Sequence, residues 1–158
     1  MRYQWADYHR SYEETVESWL DQEAVKYTGC DDGWSGYFEY WVHEPGTALN
    51  ENFFAKVILD HEEAIGIMAI FAEESRYYIQ EFIISPDNRR KGIGSEVLKE
   101  LLENGECIVG KEIKSAEACI FPSNVSSRRA FEKAGFQYSH SHPDGNACYY
   151  VYQKEIVE

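Results

Sequence analysis

The chain has 158 residues, a formal net charge of −13 and 44% hydrophobic residues, which points to one domain burying about two-thirds of its unfolded surface and excludes wholesale disorder. No apolar run approaches the ~20 residues of a membrane span, and the polar start MRYQWADYHR lacks the apolar stretch of a secretory signal. Such acidity is the wrong sign for a nucleic-acid surface, and four widely spaced cysteines without a C-x-x-C pattern read as reduced thiols in a cytoplasm.

In chain order, residues 10–27 predict one or two helices, because Tyr12, Val16, Trp19 and Leu20 recur at helical spacing among acidic residues. Residues 28–50 are rich in glycine and aromatics, show no clear period and read as an irregular segment. This front part is acidic: residues 1–63 hold 14 Asp/Glu against 4 Lys/Arg, and all four tryptophans lie at or before Trp41. Two readings follow. Acidity serves solubility while aromatics pack short helices, or carboxylates and ring faces attract a cationic ligand. For the second, the candidates are Asp31, Asp32, Glu39 and Glu44.

Three strand-like runs come next, at 52–60, 63–73 and 77–85, the first two joined by a short polar connection as a hairpin. A helix is expected over 93–104, with Ile93, Val97, Leu98, Leu101 and Leu102 as its apolar stripe and Asn104-Gly105 as its end. Residues 115–121 read as a strand, and Pro122-Ser123-Asn124 opens a helix that stops at Gly135. A terminal hairpin around PDGN closes a mixed α/β domain of the α+β kind.

Between the third strand and the next helix stands Arg89-Arg90-Lys91-Gly92-Ile93-Gly94. At such a junction orphan N–H groups and the helix dipole favour an anion, and glycines permit close backbone approach. The spacing is neither G-x-G-x-x-G nor G-x-x-x-x-G-K-[ST]. The loop resembles the R-x-x-G-x-G signature of the GCN5-related N-acetyltransferases. Residues 124–136, NVSSRRAFEKAGF, resemble that family's second signature, N-x-x-S-x-x-x-Y-x-K-x-G-F. The resemblance covers roughly residues 52–155 and leaves the first 50 as an acceptor-side region.

The resemblance implies a mostly antiparallel central sheet flanked by helices, with a splayed strand pair that binds acyl-CoA. It implies backbone pairing of Phe82, Ile83 and Ile84 with pantetheine, and amides of Arg89, Arg90, Lys91, Gly92, Ile93, Gly94 and Ser95 around the pyrophosphate of acetyl-CoA. It also implies a bond from Asn124 to the pantetheine arm. The acidic, aromatic front half motivates a small-molecule amine as acceptor, and no metal is expected. Glu81 is the candidate base. Pairing with a second copy is compatible with the family, although no interface is legible.

The chain departs from the signature at Phe131, where the family's tyrosine donates a proton to the departing thiolate. Without that acid, turnover continues unaided, or Tyr138, Tyr149, Tyr150 or water supplies the proton, or only acyl-CoA binding remains. The leading expectation is transfer to a small cationic amine, aminoglycoside- or polyamine-like, with a peptide or protein N-terminus as the alternative acceptor. Cys119 reads as a core thiol rather than a nucleophile. Three residues in the terminal hairpin, His140, His142 and Cys148, are too few and too loosely placed for a zinc site.

Overall fold

The computed structural model describes residues 1–43, 50–144 and 147–156, with the backbone alone at 144, 147 and 148. Glu44 and the Cys148 side chain therefore lie outside the described residues. Seven strands form one sheet in the order β1-β2-β3-β4-β5-β7-β6. They are β1 (Gln4–Asp7), β2 (Phe53–Asp60), β3 (Glu63–Glu73), β4 (Arg76–Ile84), β5 (Ser115–Ile120), β6 (Gln137–Asp144) and β7 (Ala147–Glu155). All neighbours pair antiparallel except β4 with β5. No helix among the described residues is long and apolar enough to cross a membrane.

Helices cover both faces. On one face lie α1 (Glu13–Glu17), α2 (Gln22–Tyr27) and α3 (Trp34–Val42); on the other lie α4 (Ile93–Val109) and α5 (Val125–Lys133). Strand alternation sorts the core accordingly. Met68, Ile70 and Ala72 of β3 pack with Val97, Leu98 and Leu101 of α4, while Ile67 and Ala69 pack with Val16 and Trp34.

The structure adds two elements to the sequence reading. Strand β1 is four residues long, too short to show a period, and Glu100 of α4 holds it by accepting from Tyr3 N at 3.2 Å and Trp5 Nε1 at 2.7 Å. Helix α3 lies within the segment read as irregular. Its packed side chains Trp34, Tyr37, Phe38 and Trp41 follow the i, i+3, i+4, i+7 stripe of an amphipathic helix. Gly33 and Gly36 obscured that stripe. Helix α4 also outruns its expected end. Asn104 leaves helical geometry at φ −127°, yet the helix resumes and runs to Gly110 at φ +85°. A Cβ at Gly105 would sit 3.0 Å from Ile113 and 3.1 Å from the Tyr77 ring, so this glycine serves close packing rather than termination.

The end of α5 explains why the second signature finishes in Ala-Gly-Phe. Gly135 takes φ +101°, its N–H reaches Glu132 O at 3.0 Å, and Phe136 N reaches Phe131 O at 3.0 Å. This is a Schellman cap, and its usual apolar contact is present as the Phe131–Phe136 ring pair at 4.9 Å.

Candidate active site

Strands β4 and β5 share only three register pairs, Arg76 with Ser115, Tyr77 with Ala116 and Tyr78 with Glu117. Beyond them the strands part. The cause lies in β4, whose register against β3 jumps from Ala69–Glu81 to Ile70–Ile79, leaving Gln80 as a bulged extra residue. A bulge bends a strand and re-aims its side chains. Ile79, before the bulge, packs toward α4, whereas Ile83, beyond it, packs toward α1–α3. The same phase change turns Glu81 toward the N-terminal helices.

The parted strands open a cleft of about 740 Å³. Its walls include residues 79–84 of β4, Arg89, Arg90 and residues 92–95 on one side, with residues 118–121, Asn124 and Phe131 on the other. The cleft thus gathers every predicted donor-binding residue except Lys91, together with Glu81. Gly92 stands at the N-cap of α4 with φ +77° and offers no side-chain cap. The first N–H groups of a 17-residue helix therefore open onto the cleft. Gly94 lies where α4 meets α5; a Cβ there would stand 3.4 Å from Ala130.

The loop's cations do not all face a ligand. Arg89 donates from Nε to Ile84 O at 3.0 Å, from Nη1 to Asp21 at 2.6 Å and Glu23 at 3.3 Å, and from Nη2 to Trp19 O at 3.3 Å. Its guanidinium is therefore committed to the N-terminal segment and not to the cleft's ligand. Burial alone would raise the Asp21 carboxyl, but the Ala24 N–H and the Arg89 guanidinium hold it below its ordinary range. Arg129 and Lys133 of α5 line the cleft instead, and Lys133 Nζ stands 4.0 Å from the position of a Cβ on Gly92. Sequence reasoning passed over this pair, although its i, i+4 spacing on a helix opening at Asn124 places both on one face.

Asn124 is the N-cap of α5; its Oδ1 accepts from Ser127 N at 3.3 Å, so its amide NH₂ is the end able to donate to a ligand. Phe131 is buried at the base of the same wall. None of Tyr138, Tyr149 and Tyr150 lines the cleft among the described residues. Tyr138 meets Tyr150 edge-on at 5.0 Å, and Tyr149 packs at a tilt against Phe121 at 4.6 Å. Among the described residues the tyrosine on the cleft is Tyr27, whose hydroxyl stands 3.2 Å from Ser123 O and 3.3 Å from Ser123 Oγ, and the bond to the Ser123 side chain holds the phenol below its ordinary range.

Glu81 is the one carboxylate of β4 in the cleft. Gly29 N–H donates to its Oε1 at 2.8 Å. Burial raises the Glu81 carboxyl to about 8, with the Gly29 bond pulling the other way. Cys119 faces the cleft with its thiol raised by burial. Asp31 and Asp32 are exposed in the turn before α3, and Glu39 pairs with His43 on the outer face of that helix at 3.6 Å. These three stand on the face of the sheet covered by α1–α3 and do not line the cleft.

The splayed strands, the glycine loop and the capped second helix thus line one cleft. The model of the acetyltransferase (GNAT) family matches residues 5–136, and the chain belongs to that family. It is an acetyl-CoA-dependent N-acetyltransferase with acetyl-CoA as its acyl donor. Among curated proteins no relative matches it. Solved structures share its fold. AAC(6')-Ib in complex with ribostamycin and coenzyme A superposes with a TM-score of 0.77 at 15% identity, over 98% of this chain and 94% of that one. The aminoglycoside acetyltransferase AAC(6')-Ib with coenzyme A and kanamycin gives 0.73 at 15%, over 97% and 94%. A GNAT-family acetyltransferase from Bacillus anthracis gives 0.71 at 19%, over 98% and 95%.

Proposed function

We propose that the enzyme acetylates a primary amine of a small cationic acceptor, aminoglycoside- or polyamine-like, by direct transfer with both ligands bound. The observation that carries this reading is Glu81, set by the bulge at the fork of β4 and β5 with its carboxyl raised to about 8. Acetyl-CoA supplies an activated thioester carbonyl. The unpaired edge of β4 beyond Tyr78 offers backbone groups to an extended pantetheine arm. An N–H among residues 82–84 polarises the carbonyl as a fixed donor. Arg90, Arg129 and Lys133, with the N–H groups of residues 92–95, balance the pyrophosphate.

An acceptor amine arrives protonated and attacks only after losing a proton. A carboxylate at its ordinary 4.5 is a poor match for an ammonium group; one raised to about 8 is much closer, and general base catalysis gains from that match. The Gly29 bond engages Oε1, and the second oxygen is the one that would take the amine's proton. Burial of the Cys119 thiol disfavours its thiolate, which supports direct transfer over an acyl-cysteine route. Initial rates at several concentrations of both substrates test this: intersecting reciprocal plots are expected, and parallel plots would contradict direct transfer.

Two further results are expected. Phe131→Tyr directs its hydroxyl into the cleft from a buried ring, so turnover should stay level or rise; a large fall with the fold intact would give Phe131 a packing or substrate role of its own. Neutralising Asp31 and Asp32 together should raise KM for the amine while leaving acetyl-CoA affinity nearly unchanged. The difference should shrink as salt shortens the Debye length from ~10 Å at 0.1 M toward ~3 Å at 1 M. Steady-state kinetics at two ionic strengths read it out, and equal KM values throughout would leave these residues a solubility role.

A further inference from the structure

Helix α2 crosses the mouth of the cleft and is fastened to both walls. At its start, the capping residue Asp21 binds Arg89 at 2.6 Å, and Glu23 bridges Arg89 and Arg90, each at 3.3 Å. At its end, Tyr27 reaches Ser123 O at 3.2 Å and Ser123 Oγ at 3.3 Å, beside Asn124, with its ring 6.0 Å from Phe121. Glu23, Ala24, Tyr27 and Thr28 all line the cleft, so one face of the helix roofs it. Just beyond, the Gly29 N–H holds Glu81.

We infer that α2 is a strap closed over the donor cleft before acetyl-CoA arrives, with Glu23 as a resident anion on Arg90 that the pyrophosphate displaces. This rests on the assignment of the cleft to acetyl-CoA. The fastenings differ in strength. Arg89 is only 14% exposed in its side chain and makes four contacts, so it serves as the hinge. The Arg90 side chain is 70% exposed, and the Tyr27 bond lies at the surface; exposed pairs of this kind are weak. The strap therefore lifts at the Glu23–Arg90 and Tyr27–Ser123 contacts while Asp21–Arg89 stays in place. A pyrophosphate brings negative charge to Arg90, beside the Glu23 carboxylate, and the two compete for one cation. When the strap closes again, Gly29 returns to Glu81, so the base is held whenever the strap is closed and is released only while the donor enters.

The test is rapid-mixing binding of coenzyme A to the wild type, Glu23→Gln and Tyr27→Phe, with affinities from calorimetry. In the wild type the observed rate should level off at high coenzyme A, where strap opening becomes limiting, and both variants should raise that plateau. Glu23→Gln should also tighten binding about fivefold, the order expected from one exposed charge pair. Rates that climb linearly with the same slope in all three proteins would overturn the strap. Weaker binding by Glu23→Gln would overturn it too, because Glu23 would then be holding Arg90 in place for phosphate. Failure of the wild type to bind coenzyme A would overturn the assignment of the cleft, and the strap with it.

Discussion

Glu81→Gln is expected to lower kcat/KM by about 10²–10⁴-fold, the usual scale for losing a positioned general base, and to flatten its pH dependence. In the wild type, kcat/KM should rise with pH and level off above an inflection near 8, because the carboxyl must shed its proton before it can take one. Glutamine keeps the shape and can still accept from Gly29 N–H, so acetyl-CoA affinity should hold. Stability gives an independent readout. The folded state keeps the Glu81 proton up to about pH 8, while the unfolded chain releases it near its ordinary 4.5. That contribution is fully present below 4.5 and is lost as pH rises through about 8. Thermal denaturation across this window should therefore show a downward slope that Glu81→Gln reduces. A profile unchanged in the variant would remove Glu81 from the chemistry.

Gly92→Val should abolish acetyl-CoA binding, a loss of more than about 100-fold or ~3 kcal/mol. Gly92 sits at φ +77°, where a β-branched residue is strained, so the loop must shift and the N–H groups behind it lose their aim. Gly94→Val should do the same by another route. Its Cβ would stand 3.4 Å from Ala130 and 4.0 Å from Phe82, and the added methyl groups would wedge α4 from α5 or fill the cleft. Calorimetry on folded variants reads both out, and wild-type affinity in either would place the donor elsewhere.

The loop, cap and helix stop that line the cleft were legible because local rules write them. A glycine loop before a helix, an asparagine cap and an Ala-Gly-Phe stop are each set by backbone needs within a few residues, and their spacing survives in one sequence. Glu81 was legible only as a carboxylate on the strand before the loop. Its orientation depends on the bulge at Gln80, and nothing in a run of β-formers announces which residue will be skipped. Strand β1 and helix α3 escaped for different reasons. Four residues carry too little periodicity, and the aromatic stripe of α3 sits among glycines that read as loop. The role of Arg89 was invisible because its partners in the N-terminal segment are 66 to 70 residues away. Such long-range pairing is a property of the fold, and so is the crossing of the cleft by Tyr27.

The most direct test of the account is release of free thiol from acetyl-CoA across a panel of amines, followed by mass spectrometry of each product. The account predicts thiol release with small polycationic amines, a product heavier by one acetyl group on a primary nitrogen, and little release with uncharged amines or peptide N-termini. Thiol release only with peptides, or none with any amine despite tight binding of acetyl-CoA, would contradict it.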